Sequence, residues 1–316
     1  MNMQTYRIGI DLGGTNIKVG IVNKKQEIIA SASRKTRKER PYQEVLDDMA
    51  ETVKDALKKI EVSITACNGI GIGSPGTIDH ENGIVIYSNN ISWEQIPLAE
   101  EIEKRLSLPV KISNDANCAA LGEALAGSGK DCKNLVLLTL GTGVGGGVII
   151  DGKLFQGRIG GMELGHTTLI AGGEPCTCGR QGCVEAYCSA TGLIREANKA
   201  ADCFPDSLLK KMREEMGEMN GKIPFEARKI GDKQAIRIIN QYINWLGEAI
   251  TNYVNIFRPQ MVLLSGGICG QGKSLTDPLK KYVETYAFAG KRISIPKIEI
   301  AKLGNDAGII GAANLV

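Results

Sequence analysis

The sequence predicts an α/β protein of two lobes, on three observations. At 316 residues the chain is long for a single hydrophobic core. One supersecondary unit occurs twice: "IGIDLGGTNIKVGIV" (residues 8–22) and "LVLLTLGTGVGGGVII" (135–150) each read as strand, glycine-rich turn, strand. Between and after these copies, short apolar runs alternate with stretches of helical spacing.

The elements follow in order. Apolar runs at 6–10, 18–22 and 27–31 predict three strands, the first two joined by "DLGGTN". Val45, Met49, Val53, Ala56 and Leu57 recur at helical spacing and predict a helix over 42–60. Strands are expected at 70–73, 84–87 and 110–112, and a helix at 97–106. The last of these strands runs into "NDANCAALGEALAG", a helix opened by a polar cap. After the second copy of the unit the chain turns helical, with the longest amphipathic stretch at 233–257 and a strand at 261–264 entering "SGG". We place the first lobe at 1–113 and the second at 114–303, with an apolar C-terminal helix, 304–316, crossing back onto the first.

Composition excludes several classes. With 43% hydrophobic and 23% charged residues the chain reads as an ordinary globular protein. A net charge of +3 is too small to point to nucleic acid or membrane partners, and the basic run "RKTRKER" reads as a solvated loop. The N-terminus lacks the apolar core of a signal peptide, and no apolar run approaches transmembrane length. A cytoplasmic setting is expected, in which the nine cysteines stay reduced.

Three glycine motifs compete for a nucleotide. "GTGVGG" satisfies GxGxxG, but the residues after it read as a strand rather than the helix a dinucleotide fold requires. "GICGQGKS" satisfies the P-loop pattern, but too little chain follows for the remaining βα units. In "DLGGTN" the N–H groups of Gly13, Gly14 and Thr15 can surround a phosphate, and Asp11 can hold a hydrated Mg2+. Alone this is also a plain hairpin turn. Paired with Gly141, Thr142 and Gly143 in the repeated unit, it gives two hairpins able to grip one polyphosphate.

These motifs, with "GIGSPGTID", "NNISW", "SNDANCAALGE", "ELGH", "CTCGRQGCVEAY" and "LLSGGI", resemble the ROK family of sugar kinases nearly end to end, most closely its zinc-containing glucokinase branch. The resemblance implies the actin-like (ribonuclease H-like) ATPase fold, with ATP and a hexose bound in an interlobe cleft. It assigns Asp11, Gly13, Gly14, Thr15, Asn16, Lys18, Gly141, Thr142, Gly143, Gly266 and Gly267 to ATP. It assigns Gly76, Asn90, Asn114, Asp115, Glu163, His166 and Glu185 to the sugar. Homodimers are usual in the family, and a homodimer is expected on that ground only.

The cluster "EPCTCGRQGC" divides the nine cysteines. Cys176, Cys178 and Cys183 join His166, one of only two histidines, in a Cys₃His set suited to tetrahedral zinc. No CxxC occurs here, so a thioredoxin-type pair is not expected. With four protein ligands the ion would be structural and would anchor the loop carrying Glu163, His166 and Glu185. The resemblance also lets His166 hold zinc through one ring nitrogen and sugar through the other.

Read locally, Asp115 caps a helix; the resemblance makes it the general base that takes the proton of the sugar hydroxyl. Glucose, giving glucose 6-phosphate, is the expected acceptor, with N-acetylmannosamine and fructose as competitors. "NNISW" favours glucose, because Asn90 can bond a free hydroxyl and Trp93 leaves little room for an N-acetyl group. A ROK repressor would carry a helix-turn-helix before the first strand, where the sequence has almost no residues, and a non-catalytic sensor would lack the base.

Overall fold

The structure, a computed structural model, describes residues 6–316. The first five residues, assigned above to the first lobe, lie outside them. The chain opens with β1 (Tyr6–Leu12), β2 (Asn16–Val22), β3 (Ile28–Lys35), α1 (Tyr42–Lys58), β4 (Cys67–Ser74), β5 (Thr77–Asp79), β6 (Ile84–Ser88), β7 (Trp93–Ile96), α2 (Leu98–Leu106), β8 (Val110–Asn114) and α3 (Asp115–Ala126). It continues with β9 (Leu135–Leu140), β10 (Val144–Ile150), β11 (Lys153–Phe155), α4 (Val184–Cys188), α5 (Ala190–Cys203), α6 (Leu208–Met216), α7 (Ile223–Ile230) and α8 (Lys233–Phe257). Last come β12 (Met261–Ser265), α9 (Lys273–Tyr286), β13 (Lys297–Ile300) and α10 (Asp306–Ala313).

The chain divides into two compact units, each α/β. Unit 1 takes in the residues up to Lys133 together with Gly147–Met162 and Lys302–Val316; unit 2 is Asn134–Gly146 and Glu163–Ala301. Packing explains why unit 1 runs past residue 113. Helix α3 lies against α10: a Cβ at Gly122 would fall 2.1 Å from the Ala307 carbonyl oxygen. At Gly147 a Cβ would fall 2.6 Å from Ala120 Cβ, so the segment after Gly146 also stays with α3.

The unit 1 sheet has the order β3-β2-β1-β4-β8, with β1 antiparallel to β2 and parallel to β4, and β4 parallel to β8. Period-two alternation sorts its two faces. Ile8, Ile10, Ile70 and Ile72, all fully buried, join Val45, Met49 and Val53 of α1 and Ile102 of α2 in one core. Gly9 and Gly71 point the other way, where a Cβ would come within 2.0 Å of the Ile309 carbonyl oxygen and 1.7 Å of that of Ala312. The Ile-Gly-Ile pattern therefore builds a core on one face and lets α10 lie flat on the other. A small antiparallel sheet, β5-β6-β7, completes the unit.

The second five-stranded sheet has the order β11-β10-β9-β12-β13, with β12 parallel to both β9 and β13. In unit 2, α8 is capped by Asp232, whose carboxylate accepts from the Ala235 N–H at 2.8 Å, and it buries Ile239, Tyr242, Leu246, Ile250 and Tyr253. Among the described residues, no helix is long and apolar enough to cross a membrane.

Candidate active site

Parallel strands collect their C-terminal ends at one edge, where α/β sheets place ligands. In unit 1, β1, β4 and β8 bring Asp11, the segment 74–76 and Asn114–Asp115 together, through the pairs Asp11↔Gly73 and Ser74↔Asn114. The Asn114 side chain caps α3 by accepting from the Ala116 N–H at 2.9 Å, and its amide donates to the Gly76 carbonyl at 3.2 Å. Gly76 has φ +106°, and a Cβ there would lie 2.2 Å from the Tyr87 carbonyl oxygen. Only glycine fits.

Asp115 also accepts from the Ala116 N–H, at 2.8 Å. Since Asn114 already serves as the cap, α3 does not depend on Asp115 for one. Water reaches this residue, yet protein atoms crowd its carboxyl. Loss of hydration pushes its pKa up from the ordinary aspartate value; the Ala116 N–H opposes the rise and the charge of Asp11 adds to it. Asp11 is itself raised by burial, against the pull of Lys18, whose ammonium lies 3.5 Å away.

The "DLGGTN" turn closes with the Gly13 N–H donating to the Asn16 carbonyl at 2.9 Å. Its glycines serve close approach: a Cβ at Gly14 would sit 3.2 Å from the main-chain oxygen of Asn90. The expected phosphate turn and the expected sugar residue are therefore neighbours. The basic run 34–40 is the solvated loop expected only in part: Lys35, Arg37, Lys38 and Glu39 are exposed, but the run is tied down at Arg34, Thr36 and Arg40. Arg34 and Lys35 belong to β3, and Arg34 and Arg40 pair with Asp48. Fully buried Thr36 donates its hydroxyl to the Gly13 carbonyl at 2.6 Å and its N–H to the Thr15 carbonyl at 2.9 Å. Lys38 donates to the Asn90 carbonyl at 2.8 Å, which places a cation beside this turn. A run rich in Lys and Arg carries no periodicity to signal this, so sequence reasoning missed Thr36 and Lys38.

Trp93 requires a correction. It is 4% exposed, packs in the unit 1 core and meets Tyr42 edge-to-face with ring centroids 6.4 Å apart. It cannot serve as the wall that excludes an N-acetyl group.

Unit 2 repeats the edge arrangement. The register pair Ser265↔Thr139 aligns the ends of β9 and β12. Gly266, at φ +104°, would place a Cβ 2.3 Å from the Leu140 oxygen, so the turns at 141–143 and 265–267 abut. Residues after "GTGVGG" form β10, which removes the dinucleotide reading. The P-loop look-alike is a short 3₁₀ turn, and its Cys269 and Gly272 N–H groups donate to the carbonyls of Gly266 and Cys269. Those donors cannot cradle a phosphate.

The Cys₃His residues converge. One ligand atom from each of His166, Cys176, Cys178 and Cys183 lies within 4.8 Å of the others. Cys176 Sγ is 3.6 Å from His166 Nδ1, and Cys178 Sγ is 3.7 Å from Cys183 Sγ. A tetrahedral zinc with bonds of about 2.3 Å to sulfur and about 2.0–2.1 Å to nitrogen sets edges of about 3.6 Å (S···N) and about 3.8 Å (S···S). The donor set fits that ion in both chemistry and size. Gly182, at φ +82°, lets the loop close: a Cβ there would come within 1.6 Å of the Ile170 oxygen. Arg180 ties the loop to the His166 carbonyl at 3.1 Å and to the Thr168 hydroxyl at 2.7 Å.

Of the remaining predicted residues, Glu163 is exposed and its carbonyl accepts from the His166 N–H at 3.0 Å. Glu185 is half-buried and bonds the Val144 N–H through Oε2 at 3.0 Å. Unit 1 thus holds Asp11, Gly13, Gly14, Thr15, Asn16, Lys18, Gly76, Asn90, Asn114 and Asp115; unit 2 holds the others.

The sequence profile described as "ROK family" matches residues 7–316. A glucokinase from Thermotoga maritima is 38% identical over 311 residues, 98% of this chain and 96% of that protein. One from Halalkalibacterium halodurans is 36% identical over 314 residues, 98% and 94% of the respective chains. Among solved structures, a ROK family glucokinase from Streptomyces griseus, in complex with glucose and AMPPNP, superposes with a TM-score of 0.82 at 32% identity, covering 98% of this chain and 99% of that one. The fold is the actin-like one of these kinases.

Proposed function

The chain belongs to the ROK family, and from that premise we propose that it transfers the γ-phosphoryl group of ATP to glucose, making glucose 6-phosphate, with Asp115 as general base. At the coarser level it is an ATP-dependent hexose kinase. The carrying observation is the sheet edge of unit 1, where the 13–15 turn, the Asn90 main chain beside it and a carboxylate of raised pKa gather at the ends of β1, β4 and β8, three parallel strands.

Each residue then has a chemical task. Gly14 and Thr15 in one turn, and Thr142 and Gly143 in the other, offer main-chain N–H groups to phosphate oxygens, while the N–H groups of Gly13 and Gly141 close those turns. Lys18 and Lys38 supply positive charge near the first turn. Mg2+ arriving with ATP neutralises the polyphosphate, and Asp11 is the carboxylate present to hold its water shell. Gly76, Asn90, Asn114, Glu163, His166 and Glu185 are the proposed hydroxyl partners, with His166 Nε2 left for the sugar because Nδ1 faces the cysteines. Asp115 accepts the proton of the 6-hydroxyl while that oxygen bonds to the γ-phosphorus and the bond to ADP breaks. A primary exocyclic hydroxyl suits this, since it can extend while the ring stays held. The zinc set holds the loop and takes no part in the step.

Two measurements test this. Under a fixed concentration of ATP, kcat/KM should be higher for glucose than for N-acetylmannosamine, mannose or fructose, because a site built on hydrogen bonds rejects poor matches strongly. A higher value for another hexose leaves the kinase standing and removes glucose. The acid limb of kcat/KM against pH should lie above the ordinary aspartate value of about 3.9, because the base is lost as it protonates and its pKa is raised. Asp11→Asn should move that limb to lower pH, since it removes a charge that raises Asp115. A limb unmoved by Asp11→Asn means that another group sets it.

A further inference from the structure

Glu185 is proposed to meet the sugar, yet both of its oxygens are engaged within unit 2. Oε2 accepts from the Val144 N–H, the first strand residue after the turn at 141–143. Oε1 accepts from the Thr177 hydroxyl at 2.9 Å, and the Cys176 Sγ lies 3.6 Å from the same oxygen. Thr177 stands between two cysteines of the Cys₃His set. The carboxyl also fills the space that Gly143 leaves, where a Cβ would sit 2.3 Å from Oε2.

The turn itself is weakly self-supported. Its internal closure is the Gly141 N–H donating to the Gly143 carbonyl at 3.0 Å, and two of its three residues are glycines, the costliest residue to order. Its outer carbonyls are held from the segment just after α4: Ala190 N–H donates to Gly141, and the Thr191 hydroxyl to Thr142, both at 2.8 Å. Its exit is held by a charge-assisted bond from Val144 to Glu185, and such bonds are the stronger kind.

We propose that the Cys₃His loop sets the nucleotide turn through a Thr177–Glu185–Val144 relay. The folded loop fixes the Thr177 hydroxyl, Thr177 fixes the Glu185 carboxylate, and the carboxylate fixes residues 141–144 in the shape that receives phosphate. Thr177 is a positioning residue touching neither sugar nor nucleotide. This rests on the reading that residues 141–143 receive the phosphates of ATP, and Gly143→Ala serves as the control for that reading, because its added methyl collides with the Glu185 carboxyl.

Thr177→Val should retain zinc and raise both the KM for ATP and its calorimetric Kd by about three- to tenfold, the net worth of one ordinary hydrogen bond. The KM for hexose should rise less than that for ATP, because Glu185 is one of six proposed hydroxyl partners and the other five do not depend on Thr177. Thr177→Ser should restore ATP affinity. Stripping zinc from the unmodified protein should weaken ATP binding in the same calorimetric assay. If Gly143→Ala weakens ATP binding and Thr177→Val does not, the relay is wrong and the turn stands. If neither variant moves ATP binding, the turn reading falls and the relay falls with it. A rise in hexose KM with ATP binding unmoved means that Thr177 orients Glu185 for the sugar alone, and overturns the relay.

Discussion

Asp115→Asn is expected to bind ATP and hexose nearly as the unmodified protein does and to turn over about 10²–10⁴-fold more slowly, the usual contribution of a general base. Asparagine keeps the side-chain oxygen that accepts from the Ala116 N–H, and Asn114 still caps α3, so local structure survives. The amide cannot take a proton at neutral pH. Stability provides an internal control. The folded-state pKa of Asp115 is raised, so its ionised form is penalised in the native state at pH above that pKa, and the penalty fades as pH falls through it. Replacement by a neutral amide should therefore leave Tm unchanged or higher near neutral pH. A variant that keeps kcat within about tenfold leaves Asp115 as an accessory acceptor at the helix start and removes the mechanism. Lys273→Ala is the matched comparison and should have little effect, because the N–H groups before it are spent within a 3₁₀ turn.

The parts legible in the sequence were those with a strong local period or an obligatory backbone. Helix α8 runs over 233–257 as its spacing predicts, since a long apolar stripe leaves little ambiguity. The two glycine turns lie where they were read because strands flank both of them. Strands β5, β7, β11 and β13, of three or four residues, were missed, since so short a run has no measurable period. Trp93 shows the other limit. A large aromatic after a polar turn reads equally well as a site wall or as core, and only its neighbours, Tyr42 among them, decide. Thr36 and Lys38 act on the turn at 13–15 from a distance in sequence that no local pattern encodes. The Cys₃His set was legible because metal ligation demands residue types at spacings that packing does not.

Freshly prepared protein is expected to carry about one zinc per chain, held by His166, Cys176, Cys178 and Cys183. Outside residues tie the loop from 166 to 183 near its start and middle, through Tyr253 to the Thr167 hydroxyl, the Tyr187 hydroxyl to the Glu174 N–H and Lys199 to the Glu174 carboxylate. Much of its framework is backbone bonding across tight turns: Gly179 N–H to Cys176, Cys176 N–H to Arg180, Gly182 N–H to Glu174. Cys178 and Thr177 are solvent-exposed, so burial of apolar surface contributes little there. Structural zinc supplies much of the folding energy of such segments, and removing one thiolate forfeits most of it. Cys178→Ser should therefore lose the metal and lower Tm by roughly 5–10 °C, on a scale of about 2–4 °C per kcal/mol for a protein of a few hundred residues. Hexose affinity should fall with it, since Glu163, His166 and Glu185 are carried by this loop. Cys188→Ser, at a buried thiol outside the set, should keep the zinc. Zinc retention should also weaken as pH falls, because the ligands bind as thiolates and neutral imidazole. Metal analysis finding no zinc in protein purified without chelator, or full zinc retention in Cys178→Ser, would remove the site. The loop would then have to be held by its backbone turns, by the bonds from Arg180 to the His166 carbonyl and the Thr168 hydroxyl, and by its contacts with Tyr253, Tyr187 and Lys199.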